Sequence, residues 1–114
     1  MNSILSDLNI ALAVTNIKIE TGLFSGLPPK KYIVLTPLPD EFADYADNKP
    51  QIDIQEVRIS LFSKENYIAD TNRIVKILFE NDFIITERRY VGYDNMTGYH
   101  NYAVDVQRFY GMED

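Results

Sequence analysis

The fold is decided by residues 51–79, which read QIDIQEVRISLFSKENYIADTNRIVKILF. Within this stretch Val57, Ile59 and Leu61 fall at every second position, so they share one face of a strand. After this alternation come residues that can cap a helix, and then apolar residues at helical spacing. The stretch therefore predicts a long strand that leads into a helix, and the helix needs a sheet on which to pack.

The first half of this strand, which we place at residues 51–63, carries its apolar side chains at the opposite parity. Ile52 and Ile54 fall on the other face from the later apolar residues. This change predicts a β-bulge or bend near residues 55–56, or a first half that packs on a different layer from the second.

The spacing after the strand predicts a helix over residues 67–79. The sequence SKEN at residues 63–66 offers capping side chains, and Asn81 and Asp82 end the pattern. The inward stripe of this helix consists of Tyr67, Thr71, Ile74, Val75 and Leu78.

The rest of the chain supplies one more helix and several strands. A short helix is expected over residues 4–12, and strands over residues 14–20, 32–36, 83–93 and 99–110. The last two strands flank turn residues and predict an antiparallel hairpin. The expected fold class is α+β, with one mostly antiparallel sheet of about four to five strands and two helices on one face. A chain of 114 residues fits a single α+β domain, residues 1–114.

The composition excludes several classes of function. The chain has no cysteine, which removes disulfide frameworks, thiolate metal sites and a cysteine nucleophile. Its net charge of -6 makes duplex nucleic acid and anionic membranes poor partners, since both need clustered cations. We see no signal peptide and no apolar run long enough to cross a bilayer, so we expect a soluble protein without a membrane partner.

The residues offer little catalytic chemistry. His100 is the only histidine of the sequence, and across the predicted hairpin it is placed near Tyr90 or Glu87. Phosphate-loop and nucleophile-elbow motifs are absent from the sequence. We expect no enzyme activity, no cofactor and no metal site, with a small enzyme centred on His100 as the least favoured alternative.

The segment between residues 21 and 31 is a predicted surface loop, because it contains two glycines and two prolines. Leu23, Phe24 and Leu27 are unusual in such a loop. One interpretation is that they fold back as a satellite of the core. The other is that they form a partner-contact loop.

A second loop is predicted over residues 40–50, where acidic residues are frequent before a closing proline. Its candidate site residues are Asp40, Glu41, Asp44 and Asp47, facing a channel or solvent. They match no EF-hand pattern, because the glycine and the closing glutamate of that loop are missing.

The last hairpin is rich in aromatic residues. Tyrosine is favoured at protein interfaces because it buries a large area while its hydroxyl still finds a partner. Ordinary strand propensity with cross-strand ring pairing explains the same enrichment. The residues concerned are Tyr90, Tyr93, Tyr99, Tyr102, Phe109 and Tyr110.

Residues 57–67, VRISLFSKENY, and residues 93–100, YDNMTGYH, carry a resemblance to a known family. They look like the strand that runs into the second helix, and like the closing hairpin, of the small tail terminator (tail completion) proteins of long-tailed bacteriophages and prophages. The resemblance covers roughly the last two thirds of the chain, and the first third only by the order of its elements.

This resemblance implies a minor structural protein of the virion that assembles into an oligomeric ring, typically a hexamer. Such a ring caps the tail tube at the head–tail joining interface. The implied partners are copies of itself, the phage tail tube protein and the head connector or stopper protein. DNA passes through the ring without specific binding, as an acidic lining that repels phosphate would allow. The implied location is the tail of the virion, and the host cytoplasm during assembly. The alternative is a head completion or stopper connector of the same particle.

Overall fold

The computed structural model describes residues 3–22, 26–46 and 49–112. The helices are α1 (Ile4–Leu12), which continues into a 3-10 turn (Ala13–Thr15), and α2 (Tyr67–Glu80). The strands are β1 (Lys18–Thr21), β2 (Lys31–Pro37), β3 (Glu41–Ala46), β4 (Lys49–Ser63), β5 (Ile84–Asp94) and β6 (Tyr99–Gly111). The expected α+β fold class is confirmed. No helix in these three ranges is long and apolar enough to span a membrane.

Within the described residues the strands form one six-stranded sheet in the order β1-β2-β4-β6-β5, with β3 also paired to β4. The β1–β2 pair is parallel and all the other pairs are antiparallel. β6 pairs with one edge of β4. The other edge pairs with β3 along its first half and with β2 along its second half. The Leu38 N–H bridges them by donating to the Glu56 carbonyl at 2.9 Å.

The strand count exceeds the expected four to five because residues 41–46 form β3. The expectation of an acidic loop is wrong for these residues. The acidic residues and alanines of this segment disfavour a strand by propensity, but the backbone pairs with β4 from Glu41 opposite Ile54 to Ala46 opposite Lys49. Pairing to a long neighbouring strand therefore overrides local composition.

The bulge expected near residues 55–56 is also wrong. β4 pairs with β6 without interruption from Ile52 opposite Gly111 to Ser63 opposite His100. The change of parity instead reflects the two faces of one regular strand, since Val57 points toward the helices and Ile54 does not. The irregularities lie in β5, between Ile85 and Glu87 and between Tyr90 and Gly92.

The strand expected over residues 14–20 starts later. Residues Ala13–Thr15 continue α1 as a 3-10 turn, and Asn16 takes a left-handed conformation with φ of 59°. Asparagine tolerates this conformation better than most residues, so it turns the chain before β1 begins at Lys18.

The core lies between the two helices and one face of the sheet. A fully buried leucine or isoleucine contributes about 2 kcal/mol relative to an exposed one, so this layer supplies most of the stability. Its most deeply buried members are Leu8, Leu12, Ile33, Leu35, Val57, Ile59, Leu61, Ile74, Leu78 and Val106.

Two polar side chains fix the starts of the helices. The Asn66 carboxamide caps α2 by accepting from the Ile68 and Ala69 N–H groups. At α1 the cap comes from the sheet, because the Ile4 N–H donates to Gln55 Oε1 at 2.9 Å whereas the Ser3 side chain makes no capping bond. The bond from the Ile4 N–H to Gln55 ties α1 to β4.

Candidate interaction site

The most prominent surface feature is an arm, which we define as β3 together with residues 49–54 of β4. The molecule measures 54 × 26 × 22 Å. At about 3.3 Å per residue, the 15 residues of β4 account for most of the long axis. β4 pairs with β6 only as far as Ile52, so the end of the arm extends beyond that strand.

The arm exposes two large aromatic side chains. Phe42 is 53% and Tyr45 is 63% exposed. In the described part of the chain, β4 is the only strand paired with β3, so the outer edge of β3 is open. The ladder with β4 skips Asp44, whose φ is 54°, and this limits the regular part of that edge to a few residues.

All the candidate acidic residues that the structure describes lie on the surface. Glu41 and Asp44 lie on β3 and Asp40 directly precedes it, each exposed, whereas Asp47 lies outside the described residues. Asp53 and Glu56 of β4 join Asp40 around a depression of about 310 Å³. The sequence interpretation missed these two, because it assigned only the residues between the strands to the acidic segment.

Among the residues that the structure describes, no group of histidines or carboxylates is arranged to hold a metal ion. The acidic side chains of the arm form a charged surface.

The candidate partner-contact loop is described in part. Leu27 is 96% exposed, so for this residue the interpretation as a satellite of the core is wrong. Leu23 and Phe24 lie outside the described residues.

The sheet face opposite the helices carries three packed aromatic rings. Tyr32 and Phe62 are register partners on β2 and β4 and stack with 4.9 Å between ring centroids. Tyr99 of β6 meets Tyr32 edge to face at 5.3 Å. The Tyr99 hydroxyl donates to the Pro29 carbonyl, which holds the chain before β2 against the sheet.

These rings line a groove of about 480 Å³, here called the aromatic groove. Its floor is a row of register partners that crosses four strands: Tyr32, Phe62, Asn101 and Gly92. Asp94 and Thr97 lie at its rim near the β5–β6 turn.

Asn101 provides an unusual polar group in this floor. Its Oδ1 atom is buried and has no hydrogen-bond partner within the described ranges. Its neighbour on β5 is Gly92, which has no side chain to cover it, and a Cβ atom placed there would contact nothing within 4 Å. A buried acceptor without a donor lowers the stability of the folded chain.

The middle of the same face is occupied by an ion pair. The Arg58 guanidinium donates two hydrogen bonds to the Asp105 carboxylate, at 2.8 and 3.0 Å. The bonds to this carboxylate raise the pKa of Arg58, and the nearby Glu87 and Glu56 act in the same direction. The positive charge of Arg58 is thus neutralised within the protein.

His100 lies on the helix side of the sheet, in a cluster of tyrosine rings. The Tyr90 hydroxyl and His100 Nδ1 are 2.9 Å apart, which confirms the expected proximity. Glu87 pairs in register with Asp105, at a position of β6 that faces away from His100, and its carboxylate accepts a bond from Arg89 instead. His100 and Glu87 therefore form no imidazole–carboxylate pair.

The aromatic rings of the last hairpin therefore divide between the two faces. Around His100 the ring centroids of Tyr67 and Tyr93 lie at 5.0 and 4.7 Å. Tyr99 instead belongs to the aromatic groove on the other face. The rings pair with one another, as the interpretation by cross-strand ring pairing expects, and Tyr90 and Tyr93 stay about half exposed.

The aromatic groove was not foreseen from the sequence. Tyr32, Phe62 and Tyr99 come from three strands, and only the register brings them together. The available signal was their parity, since Phe62 has the parity opposite to the buried residues of β4, and Tyr32 has the parity opposite to Ile33 and Leu35.

No protein-family model matches this chain, and no curated protein matches it.

Proposed function

We propose that the protein is a structural subunit of a long-tailed phage particle, the tail terminator, which acts by assembling into a ring that caps the tail tube. The observation that carries the proposal is the arm with its exposed Phe42 and Tyr45. The resemblance of residues 57–67 and 93–100 to that family supports it, and so does the α+β fold.

The arm has the features of a protein interface. Two exposed aromatic side chains beside an open strand edge leave apolar surface and unpaired backbone groups in contact with water. They therefore favour association with another chain. Aromatic side chains are also enriched at the centres of protein interfaces. We assign Phe42 and Tyr45 to the contact between neighbouring subunits.

The charge on the arm supports a second part of the proposal. Asp40, Glu41 and Asp44 are exposed, and the net charge of the chain is -6. Carboxylates that face a channel repel the DNA backbone, so the genome slides through instead of binding. We assign these three residues, with Asp47, to the channel or its mouth.

The proposal gives His100 no catalytic role. Its Nδ1 atom is engaged with the Tyr90 hydroxyl, and aromatic rings surround it. We treat His100 as part of the aromatic packing on the helix side.

The test uses tail tube protein encoded by the same genome, polymerised in vitro and viewed by electron microscopy. A tail terminator binds at one end of the tubes and stops their growth, so gold-labelled protein should mark single ends and shorten the tubes. Protein that leaves the ends unlabelled and the lengths unchanged contradicts the proposal. Binding to the portal or adaptor protein instead would assign the chain to the head-side connectors.

A matched set of variants separates the arm from the rest of the surface. Phe42→Ser with Tyr45→Ser should abolish end binding. Ile68→Ser, which changes an apolar residue of similar exposure on α2, should not. Equal loss in both variants would contradict a specific role for the arm.

A further inference from the structure

We propose that the outer edge of β5 receives the arm of a neighbouring copy of the chain, so that β3 of one subunit and β5 of the next meet edge to edge. The inference rests on the proposed ring and names the surface that the arm contacts. Within the described residues β5 pairs only with β6, so its other edge is open. The two irregularities of β5 leave residues 87–90 as its regular part.

β5 is the more suitable of the two strands at the ends of the sheet. It has 11 residues, whereas β1 at the opposite end has 4. β1 itself exposes no large apolar side chain. An open edge with exposed apolar side chains is a place where a strand of another chain adds to the sheet. On β5 four such side chains are between 44% and 54% exposed: Ile84, Tyr90, Val91 and Tyr93.

The end of α2 adds apolar surface beside this edge. Asp70 of α2 bonds to Lys31 of β2, which marks the side of the helix that faces β2. Phe79 follows nine positions later, which is about 180° around the helix axis. Phe79 therefore points away from β2 and toward the β5 side of the sheet, and it is 63% exposed.

The charges of the two edges are complementary. In the middle of β5, Arg88 is exposed and has no ion-pair partner in the described ranges, whereas Arg89 bonds to Glu87. β3 carries Glu41 and Asp44 and no cation. Opposite charges on neighbouring strands stabilise their pairing, and like charges destabilise it. The other carboxylates near this edge lie at its two ends: Glu80, Asp82 and Asp94.

Charge also disfavours the two symmetric contacts between copies. A contact of β3 with β3 would oppose two sets of carboxylates. A contact of β5 with β5 through its middle would bring two unpaired Arg88 side chains together. The contact of β3 with β5 avoids both, and it joins different surfaces of the two copies. A contact of that head-to-tail kind closes into a ring when the rotation between copies is suitable.

The topology lets the two edges meet as antiparallel strands. β4 and β5 run in the same direction, because each is antiparallel to β6. β3 is antiparallel to β4, so it runs opposite to β5. Copies placed side by side in the same orientation therefore continue one antiparallel sheet from β5 of one copy into β3 of the next.

This arrangement places Phe42 of the arm on the helix side of the neighbouring copy. Phe42 pairs with Asp53, which has the parity of Val57 and so lies on the face that the helices cover. We assign Phe42 to a contact with the side of α2 that ends at Phe79. Ile68 lies in the first turn of α2, about 16 Å along the helix from Phe79, outside this contact.

The test is disulfide cross-linking, which the chain permits because it has no cysteine of its own. Protein with Ala43→Cys on β3 is mixed with protein that carries either Glu87→Cys or Val91→Cys on β5, and the mixture is oxidised with copper phenanthroline. At least one of these mixtures should give about tenfold more linked dimer than either protein alone, because the two Cα atoms must approach within about 7 Å. Non-reducing electrophoresis measures the dimer.

A cysteine at the competing edge provides the control. Glu20→Cys on β1 should form no dimer with Ala43→Cys. Dimers of Ala43→Cys with itself or with Glu20→Cys, but not with either β5 variant, would overturn the inference.

A charge reversal tests the electrostatic part. Arg88→Glu should raise the concentration at which the oligomer forms several-fold, with the Tm unchanged. Lys30→Glu makes the same change of charge at an exposed residue before β2 and should have no such effect. Equal weakening by both variants would overturn the assignment of Arg88, because assembly would then follow net charge alone.

Native mass spectrometry of the unoxidised proteins separates this inference from the proposed function. Rings that form without any cross-link between β3 and β5 overturn the inference and leave the proposed ring intact. A protein that forms no oligomer at any concentration, with or without tail tube protein, contradicts both.

Discussion

Asn101 on β6 pairs in register with Gly92 on β5, so the buried side-chain oxygen of Asn101 has no side chain beside it on that strand. A protein does not gain stability from such an arrangement, because a buried acceptor without a donor costs about 1–3 kcal/mol.

The first prediction follows from this cost. Asn101→Leu removes the unpaired acceptor and keeps most of the volume, so the free energy of unfolding should rise by about 1 kcal/mol and the Tm by about 4 °C. Calorimetry of the free protein checks the change. A clear fall in Tm would mean that the Asn101 carboxamide is satisfied in solution, and it would contradict this prediction.

The second prediction concerns the ion pair on the helix-free face. The Asp105 side chain is only 8% exposed, and Arg58 gives it two hydrogen bonds. Arg58→Met leaves a nearly buried carboxylate without its partner and should cost about 2–3 kcal/mol. The double change Arg58→Met with Asp105→Leu should cost less than Arg58→Met alone. Denaturant unfolding measures both, and additive losses would show that the two side chains are not coupled.

The third prediction is a pH dependence on the alkaline side. The Tyr110 hydroxyl donates to Asp7 on α1 at 2.6 Å, and burial, followed by this bond, raises the pKa of Tyr110 well above its usual value of 10.0. In the unfolded chain this tyrosine ionises near pH 10, whereas in the folded protein it stays neutral to higher pH. The stabilisation is therefore fully present below pH 10 and is lost as the pH rises toward the folded-state pKa.

Tyr110→Phe separates this contribution from that of other groups. It should lower the free energy of unfolding by about 1 kcal/mol at neutral pH and reduce the steepness of the alkaline decline. Tyr32, whose pKa is also raised by burial and then by Tyr99, should account for part of the remaining decline. An unchanged alkaline slope in the Tyr110→Phe variant would contradict the assignment. Thermal unfolding from neutral pH to about pH 11 provides the measurement.

The sequence predicted the elements whose signals are local. The stripe containing Ile74 and Leu78 and the capping residues before it led to α2, and the alternation containing Val104 and Val106 led to β6. These side chains are buried in the structure.

Other features depend on pairing between distant segments and could not be predicted locally. The residues of β3 mix Phe42 and Tyr45, which favour strands, with acidic residues and alanines, which do not, and they form a strand because β4 offers them an unpaired edge. The aromatic groove depends on the register that aligns Phe62 with Asn101. The cap of α1 comes from Gln55, which is 51 positions away from Ile4.

In the proposed assembly the arm joins copies of the chain into a ring. Its most direct test is native mass spectrometry of the purified protein over a concentration series, comparing the wild type with the Phe42→Ser, Tyr45→Ser double variant. We predict that the wild type forms a discrete closed oligomer as concentration rises, whereas the double variant stays monomeric with its Tm unchanged. A wild type that stays monomeric with and without tail tube protein, or a double variant that still forms the ring, would contradict the account.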